Sequence, residues 1–118
     1  MSTHKTLSEF ISETKICLES ADYDSALEIL LDAIKVFPSE TSLIINIGNI
    51  HKHKGRPDQA ESYYKKSLEI ENSKEAYNNL SVIYLDTHNI DLAIINSEKA
   101  IEIDPNYIDA RCNAALAH

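Results

Sequence analysis

The sequence predicts an all-α fold, about seven helices arranged as antiparallel pairs that stack into an α-solenoid. Three observations predict it. Only two glycines and three prolines punctuate 118 residues otherwise rich in Ala, Leu, Ile, Glu and Lys, which favours helices joined by short connections. One pattern recurs in ADYDSALEILLDAIKVFPSE (21–40), GRPDQAESYYKKSLEIENS (55–73) and HNIDLAIINSEKAIEIDPN (88–106): a breaker or polar residue, an Asp, an Ala, then an apolar stripe ending near Pro or Asn. Upstream of each lies a second stretch, SEFISETKICLES, TSLIINIGNIHKHK and KEAYNNLSVIYLDT, with apolar residues at i, i+3, i+4 and i+7.

Taken in order, the predicted helices cover 5–20, 23–37, 40–54, 57–71, 74–87, 90–103 and 107–117. Asp22 and Asn89 stand where an N-cap side chain accepts orphan backbone N–H groups, and Pro57 lies in a first helical turn, where its missing N–H costs nothing. Ser39 and Ser73 are placed to cap the third and fifth helices; Pro38 and Pro105 stop the helices before them. The anchor alanines Ala26, Ala60 and Ala93 lie 34 and 33 residues apart, followed by Ala33, Ser67 and Ala100, then Pro38, Asn72 and Pro105.

Small residues at Ala26, Ala60 and Ala93, facing Thr14, Gly48, Ser81 and Ala115, let paired helices approach to about 8–10 Å. The seam is expected to be filled by Phe10, Ile44 and Tyr77, by Ile47, Leu80 and Ala114, and by Leu30, Tyr64 and Ser97 on the second helices. Tyr63, adjacent to Tyr64, is expected on the outer surface.

Nineteen acidic against eleven basic side chains give a net charge of −8, so the global field repels nucleic acid and anionic lipid. The N-terminus has no secretory h-region, and the apolar runs are too short to span a bilayer, so the expected location is cytoplasmic. Cys17 and Cys112, 95 positions apart, are neither a disulfide framework nor a zinc spacing, and both are read as structural. HKHKGRPDQA (51–60) invites a metal reading, but His51 and His53 are i, i+2 and point to different sides of a helix. Asp22, Asp24, Asp58 and Asp91 fall at helix starts, where capping and the helix dipole explain them. No phosphate loop, zinc spacing or Ser/His/Asp set is present in the sequence, so no enzyme activity, metal or cofactor is expected.

The unit resembles the tetratricopeptide repeat (TPR). The third copy carries the resemblance best, with Tyr77, Leu80, Ser81, Tyr84, Ala93, Ala100 and Pro105 at the family places; the second keeps Ile47, Gly48, Gly55, Ala60 and Tyr64. The first departs most, with Glu13 and Cys17 at an apolar and an aromatic place, as terminal repeats often do. On this reading residues 7–40, 41–73 and 74–107 are three repeats of one domain, and 108–118 is the first helix of a fourth. The run Cys112, Ala114, Ala115, Leu116 and Ala117 is apolar on more than one side, which leads to the expectation that 1–118 is the N-terminal part of a longer protein. An uncovered edge there would also favour self-association.

The resemblance implies a right-handed superhelix and a non-catalytic scaffold that takes a peptide segment of a partner in its concave groove. With the seam placed as above, the residues expected to line that groove and touch the partner are Lys15, Asn46, Asn49, His53, Asn78, Asn79 and Asn113. Asn46, Asn79 and Asn113 recur at one place, a row similar to the asparagine ladder of O-linked N-acetylglucosamine transferase TPR domains. An amide both donates and accepts, so such a row suits peptide backbone, and it equally suits local polar packing. Ser12 interrupts it in the first unit. The pattern by which some TPR domains clamp a chaperone's C-terminal carboxylate maps onto Ile11 and Lys15, Asn46, then Glu75 and Asn79; only Asn46 matches, and Glu75 would repel the carboxylate. Two other roles stay open: a substrate-recruiting accessory domain of a larger enzyme such as a glycosyltransferase or sulfotransferase, and a self-assembling module.

Overall fold

The computed structural model describes residues 5–117, and seven α-helices account for its regular structure: α1 (Leu7–Glu19), α2 (Tyr23–Val36), α3 (Thr41–His53), α4 (Pro57–Ile70), α5 (Lys74–Asp86), α6 (Ile90–Ile103) and α7 (Ile108–Ala117). Each predicted helix is present within two residues at either end. Consecutive helices pack as antiparallel pairs, and the stack is elongated, 56 × 26 × 21 Å.

The helix ends follow local chemistry. Thr6 and Glu9 form a reciprocal capping box on α1. Asp22 accepts the Ser25 N–H at 3.2 Å, Ser73 accepts the Ala76 N–H at 3.3 Å, and Pro57 opens α4. Two expected caps differ. The N-cap of α3 is Glu40 rather than Ser39, with no side-chain cap bond, because the Glu40 N–H closes a turn onto the Phe37 carbonyl and so carries the boundary one residue past the serine. Asn89 is the N-cap of α6, but its side chain makes no cap bond.

The three turns inside helix pairs are built alike. Ala21, Gly55 and His88 have φ of 56°, 73° and 62°. The next residue in each turn donates its N–H back across the helix end: Asp22 to Cys17 O, Arg56 to His51 O and Asn89 to Tyr84 O, at 2.8, 2.8 and 2.7 Å. This is the Schellman C-cap, in which a left-handed residue lets two orphan carbonyls be satisfied.

In the first two pairs a small residue on one helix offsets a larger one on the other, and in the third two serines meet. Thr14 faces Leu30, Gly48 faces Tyr64 and Ser81 faces Ser97 at equivalent places, and all except the glycine's missing side chain fill fully buried space. A Cβ on Gly48 would stand 2.7 Å from the Tyr64 ring, so glycine is what admits the tyrosine. In the third pair the Ser81 hydroxyl donates to Ala93 O at 2.9 Å and shares a 2.5 Å bond with Ser97, satisfying both buried hydroxyls. Two apolar clusters result, one of Phe10, Leu30, Leu43, Ile47 and Ile50 with Ala26 and Ala33, the other of Tyr64, Leu80, Ile83 and Tyr84 with Ala60 and Ala93.

Some seam residues move from their expected places. Ala76 is fully buried and Tyr77 only half-buried; its ring lies under the Lys99 ammonium and its hydroxyl donates to Asn72 Oδ1 at 2.8 Å. Tyr63 is not on the outer surface: half-buried, it stacks on His51 with ring centroids 5.5 Å apart. Ala114 is half-buried and Ala115 exposed, because among the described residues no second helix packs on α7 as α2, α4 and α6 pack on α1, α3 and α5. Cys17 packs against the first cluster as a structural cysteine, whereas Cys112 is exposed on that uncovered edge. Ile108 and Leu116 are 72% and 76% exposed there.

Candidate functional site

The seven predicted site residues stand on the first helices of the pairs: Lys15 on α1, Asn46, Asn49 and His53 on α3, Asn78 and Asn79 on α5, and Asn113 on α7. They do not share one environment. Asn49 Oδ1 accepts two hydrogen bonds, from the Tyr64 hydroxyl at 2.5 Å and from Asn79 Nδ2 at 3.3 Å. Burial holds the Tyr64 phenol well above its usual pKa, so it remains a donor to that oxygen. One unit on, Asn113 Nδ2 donates to Asn78 Oδ1 at 2.6 Å, and Asn78 is buried at 7% exposure. Amides therefore bridge α3 to α5 and α5 to α7. Four of the residues expected to meet a ligand are engaged with each other, and Asn78, expected in the groove, is sequestered because Asn113 folds over it.

Asn46 differs. It is half-buried on α3 and borders three clefts at once. Between α1 and α3, a cleft of about 210 Å³ is floored by buried Leu30 and Leu43, with Ile11, Leu18 and Lys15 at its rim. Beside it a cleft of about 280 Å³ runs to Asn49, Ile50, Tyr23 and His53. His53 is exposed, its imidazole stacked on the Tyr23 ring at 5.2 Å. On the other side, between α3 and α5, about 290 Å³ is bounded by Ile45, Glu71, Ser73 and Glu75.

His51 belongs to the seam as expected. Burial first, then the Arg56 and Lys54 charges, holds its imidazole below the ordinary 6.5. Its Nδ1 is buried without a hydrogen-bond partner among the described residues. Tyr84 is raised by burial and by its hydrogen bond to the Glu61 carboxylate. Among the described residues no group of His, Cys, Asp or Glu is arranged to hold a metal ion, and no helix is long and apolar enough to cross a membrane.

Sequence reasoning missed the apolar floor beneath Asn46 and the Tyr64 anchor of Asn49. The signal for the second was present: a tyrosine opposite a glycine reaches past the seam to the next polar side chain.

The stacked helix pairs agree with what the family comparison finds, since the tetratricopeptide repeat model matches residues 40–106. The chain belongs to the tetratricopeptide repeat family. Over 89 residues this TPR chain is 32% identical to a UDP-N-acetylglucosamine–peptide N-acetylglucosaminyltransferase of Giardia intestinalis; the match takes in 75% of this chain and 6% of that protein's length. Among solved structures, MamA superposes with a TM-score of 0.81 at 22% identity, over 93% of this chain and 61% of MamA. The first TPR of Spaghetti (RPAP3), bound to the HSP90 peptide SRMEEVD, superposes at 0.86 and 15% identity, over 98% of this chain and 95% of that one. Identities this low show the shared TPR solenoid and no more.

Proposed function

We propose that this TPR chain is a non-catalytic interaction module that binds an extended peptide segment of a partner protein along the face of α1, α3, α5 and α7. The observation that carries this reading is Asn46, a half-buried amide at the meeting point of three clefts on one face. An amide there can donate to and accept from a peptide backbone while a ligand side chain enters the apolar cleft beside Ile11 and Leu18. Lys15, Asn49 and His53 border the same clefts; Asn79, Asn78 and Asn113 support the face through their mutual bonds. The TPR of Spaghetti holding a peptide on the same fold supports peptide as the ligand type. Glu75 at the α3–α5 cleft argues against a terminal carboxylate held there.

The test is selection of a phage-displayed library of random dodecapeptides on the immobilised protein, followed by anisotropy titration of the enriched peptides. Asn46→Ala should weaken them about three- to tenfold, the worth of one hydrogen bond, with an unchanged melting temperature. Unaltered affinity in Asn46→Ala would sink the reading.

A second reading, substrate recruitment for a glycosyltransferase, is favoured by the similarity to the Giardia protein. It predicts that selected peptides resemble segments modified in the same cell. Peptides enriched on this face that are never glycosylated there would count against it.

A further inference from the structure

The clefts on either side of Asn46 carry opposite charge. In a chain of net charge −8, no carboxylate among the described residues lines either of the two clefts between α1 and α3; the ionisable groups there are Lys15, His53 and Tyr23. The cleft between α3 and α5 holds Glu71 and Glu75 and, among the described residues, no cation. Glu19, at the end of α1, lies outside all three linings. Between the two ends sit Asn46, neutral and bidirectional, and the apolar floor of Leu30 and Leu43.

We infer that the groove is electrically two-ended and selects a peptide of one charge order: an acidic residue over Lys15 and His53, an aliphatic or aromatic side chain against the exposed Ile11 and Leu18 above the buried Leu30 and Leu43, and a basic residue over Glu71 and Glu75. This rests on the peptide-binding reading and adds the partner's chemistry and its direction. Charge complementarity of this kind fixes register and rejects wrong partners more than it adds affinity. First helices two apart in the stack lie of the order of 20 Å from each other, two interaxial spacings. An extended chain covers that in about six residues, so the motif is short, with the apolar residue near its middle. The side chains that set the order are exposed, and replacing them leaves the two core clusters untouched.

The deciding experiment repeats the dodecapeptide selection on the wild type and on Lys15→Glu/Glu75→Lys. Wild type should enrich sequences in which acidic and basic residues flank an apolar one in a single order, and the exchanged protein should enrich the opposite order. Each selected peptide should lose about tenfold in affinity on the protein of opposite charge order, several times what one exposed pair contributes, and the difference should shrink as salt is added. Because the Glu75 carboxylate accepts the Ser73 hydroxyl that caps α5, Glu71→Lys with Lys15→Glu serves as a second exchange should the first be unstable.

Peptides that bind wild type and the exchanged protein alike, yet weaken on Asn46→Ala, would overturn the charge order and leave peptide binding standing. No enrichment over a bare surface would overturn both. A dimer in light scattering that Lys15→Glu dissolves would make a second copy of this chain the occupant and overturn the proposal.

Discussion

The two halves of the first-helix face are built from the same repeat and differ in whether their amides bond to one another. Between α3, α5 and α7 the face is laced by amides, Asn49 to Asn79 and Asn78 to Asn113. Between α1 and α3 it is open, with two clefts; Asn46 borders both without a side-chain hydrogen bond among the described residues, and Asn49, already bonded to Asn79, borders one. Lys15 and Asn46 occupy the places that Asn49 and Asn79 occupy one unit later, and they border a cleft instead of bonding. In the next junction Val82 stands at the Asn49 place, offers no acceptor, and leaves Asn113 to turn to Asn78. The availability of a ladder asparagine is thus set by the side chain three places further along the preceding unit.

The largest effects probe the two cores beneath these halves. Leu30→Ala and Leu80→Ala should each cost about 2–5 kcal/mol in urea unfolding, since both side chains are buried in well-filled clusters. Only Leu30 floors a cleft, so only its replacement should also change peptide affinity once measured well below the melting temperature. Equal effects of both on binding would erase the distinction between the halves.

Gly48→Ala comes next, at about 1–3 kcal/mol, because a Cβ at 2.7 Å from the Tyr64 ring forces a buried side chain aside. Moving that ring also takes its hydroxyl from Asn49 and loosens the lacing to Asn79.

Smaller changes separate the amides. Asn79→Ala should lower stability by about 1 kcal/mol through its lost bond, while Asn46→Ala should stay within about 0.5 kcal/mol. Lys15→Asn would place the bonding partner of the laced half beside Asn46. It should stabilise the protein by up to about 1 kcal/mol and close the groove to peptide. Stabilisation without loss of binding would show that an open junction is not what a ligand needs.

The smallest expected effect is a slope with pH. His51 is held below its ordinary 6.5 in the folded protein, so the unfolded chain takes up a proton first. Stability should be complete above about pH 6.5 and fall as pH drops from there toward the lowered pKa. His51→Phe, which keeps a ring against Tyr63, should flatten chemical-denaturation stability between pH 7 and 5. Asp24 and Asp104, lowered below 3.8 by hydrogen bonds from Lys54 and Lys74, favour the folded state above that pH and lose this effect only at more acid pH, outside the His51 window.

Much of this was legible in the sequence because burial repeats at the period of the unit. Ala26, Ala60 and Ala93 are fully buried at the expected crossings, and Leu30, Tyr64 and Ser97 fill the expected places on the second helices. Contacts between units were not legible. Asn78 and Asn79 look alike as neighbours in a polar groove; which of them is buried depends on how far α7 is rotated over α5, and that angle has no signature in one repeat. Tyr63 fails for a different reason: its stacking partner His51 belongs to the same unit but stands at a place usually held by a larger ring. The cap on α3 was missed by a single residue because the turn at Phe37, and not the serine, decides where the helix begins.

The joints inside the helix pairs have a further consequence. Ala21, Gly55 and His88 share one left-handed conformation, and the hydrogen bonds that secure it run from backbone to backbone. A joint that depends so little on side-chain identity is a natural splice point. A unit copied or removed between two of them keeps its closure, and the array can lengthen in evolution by whole repeats without re-inventing the turn.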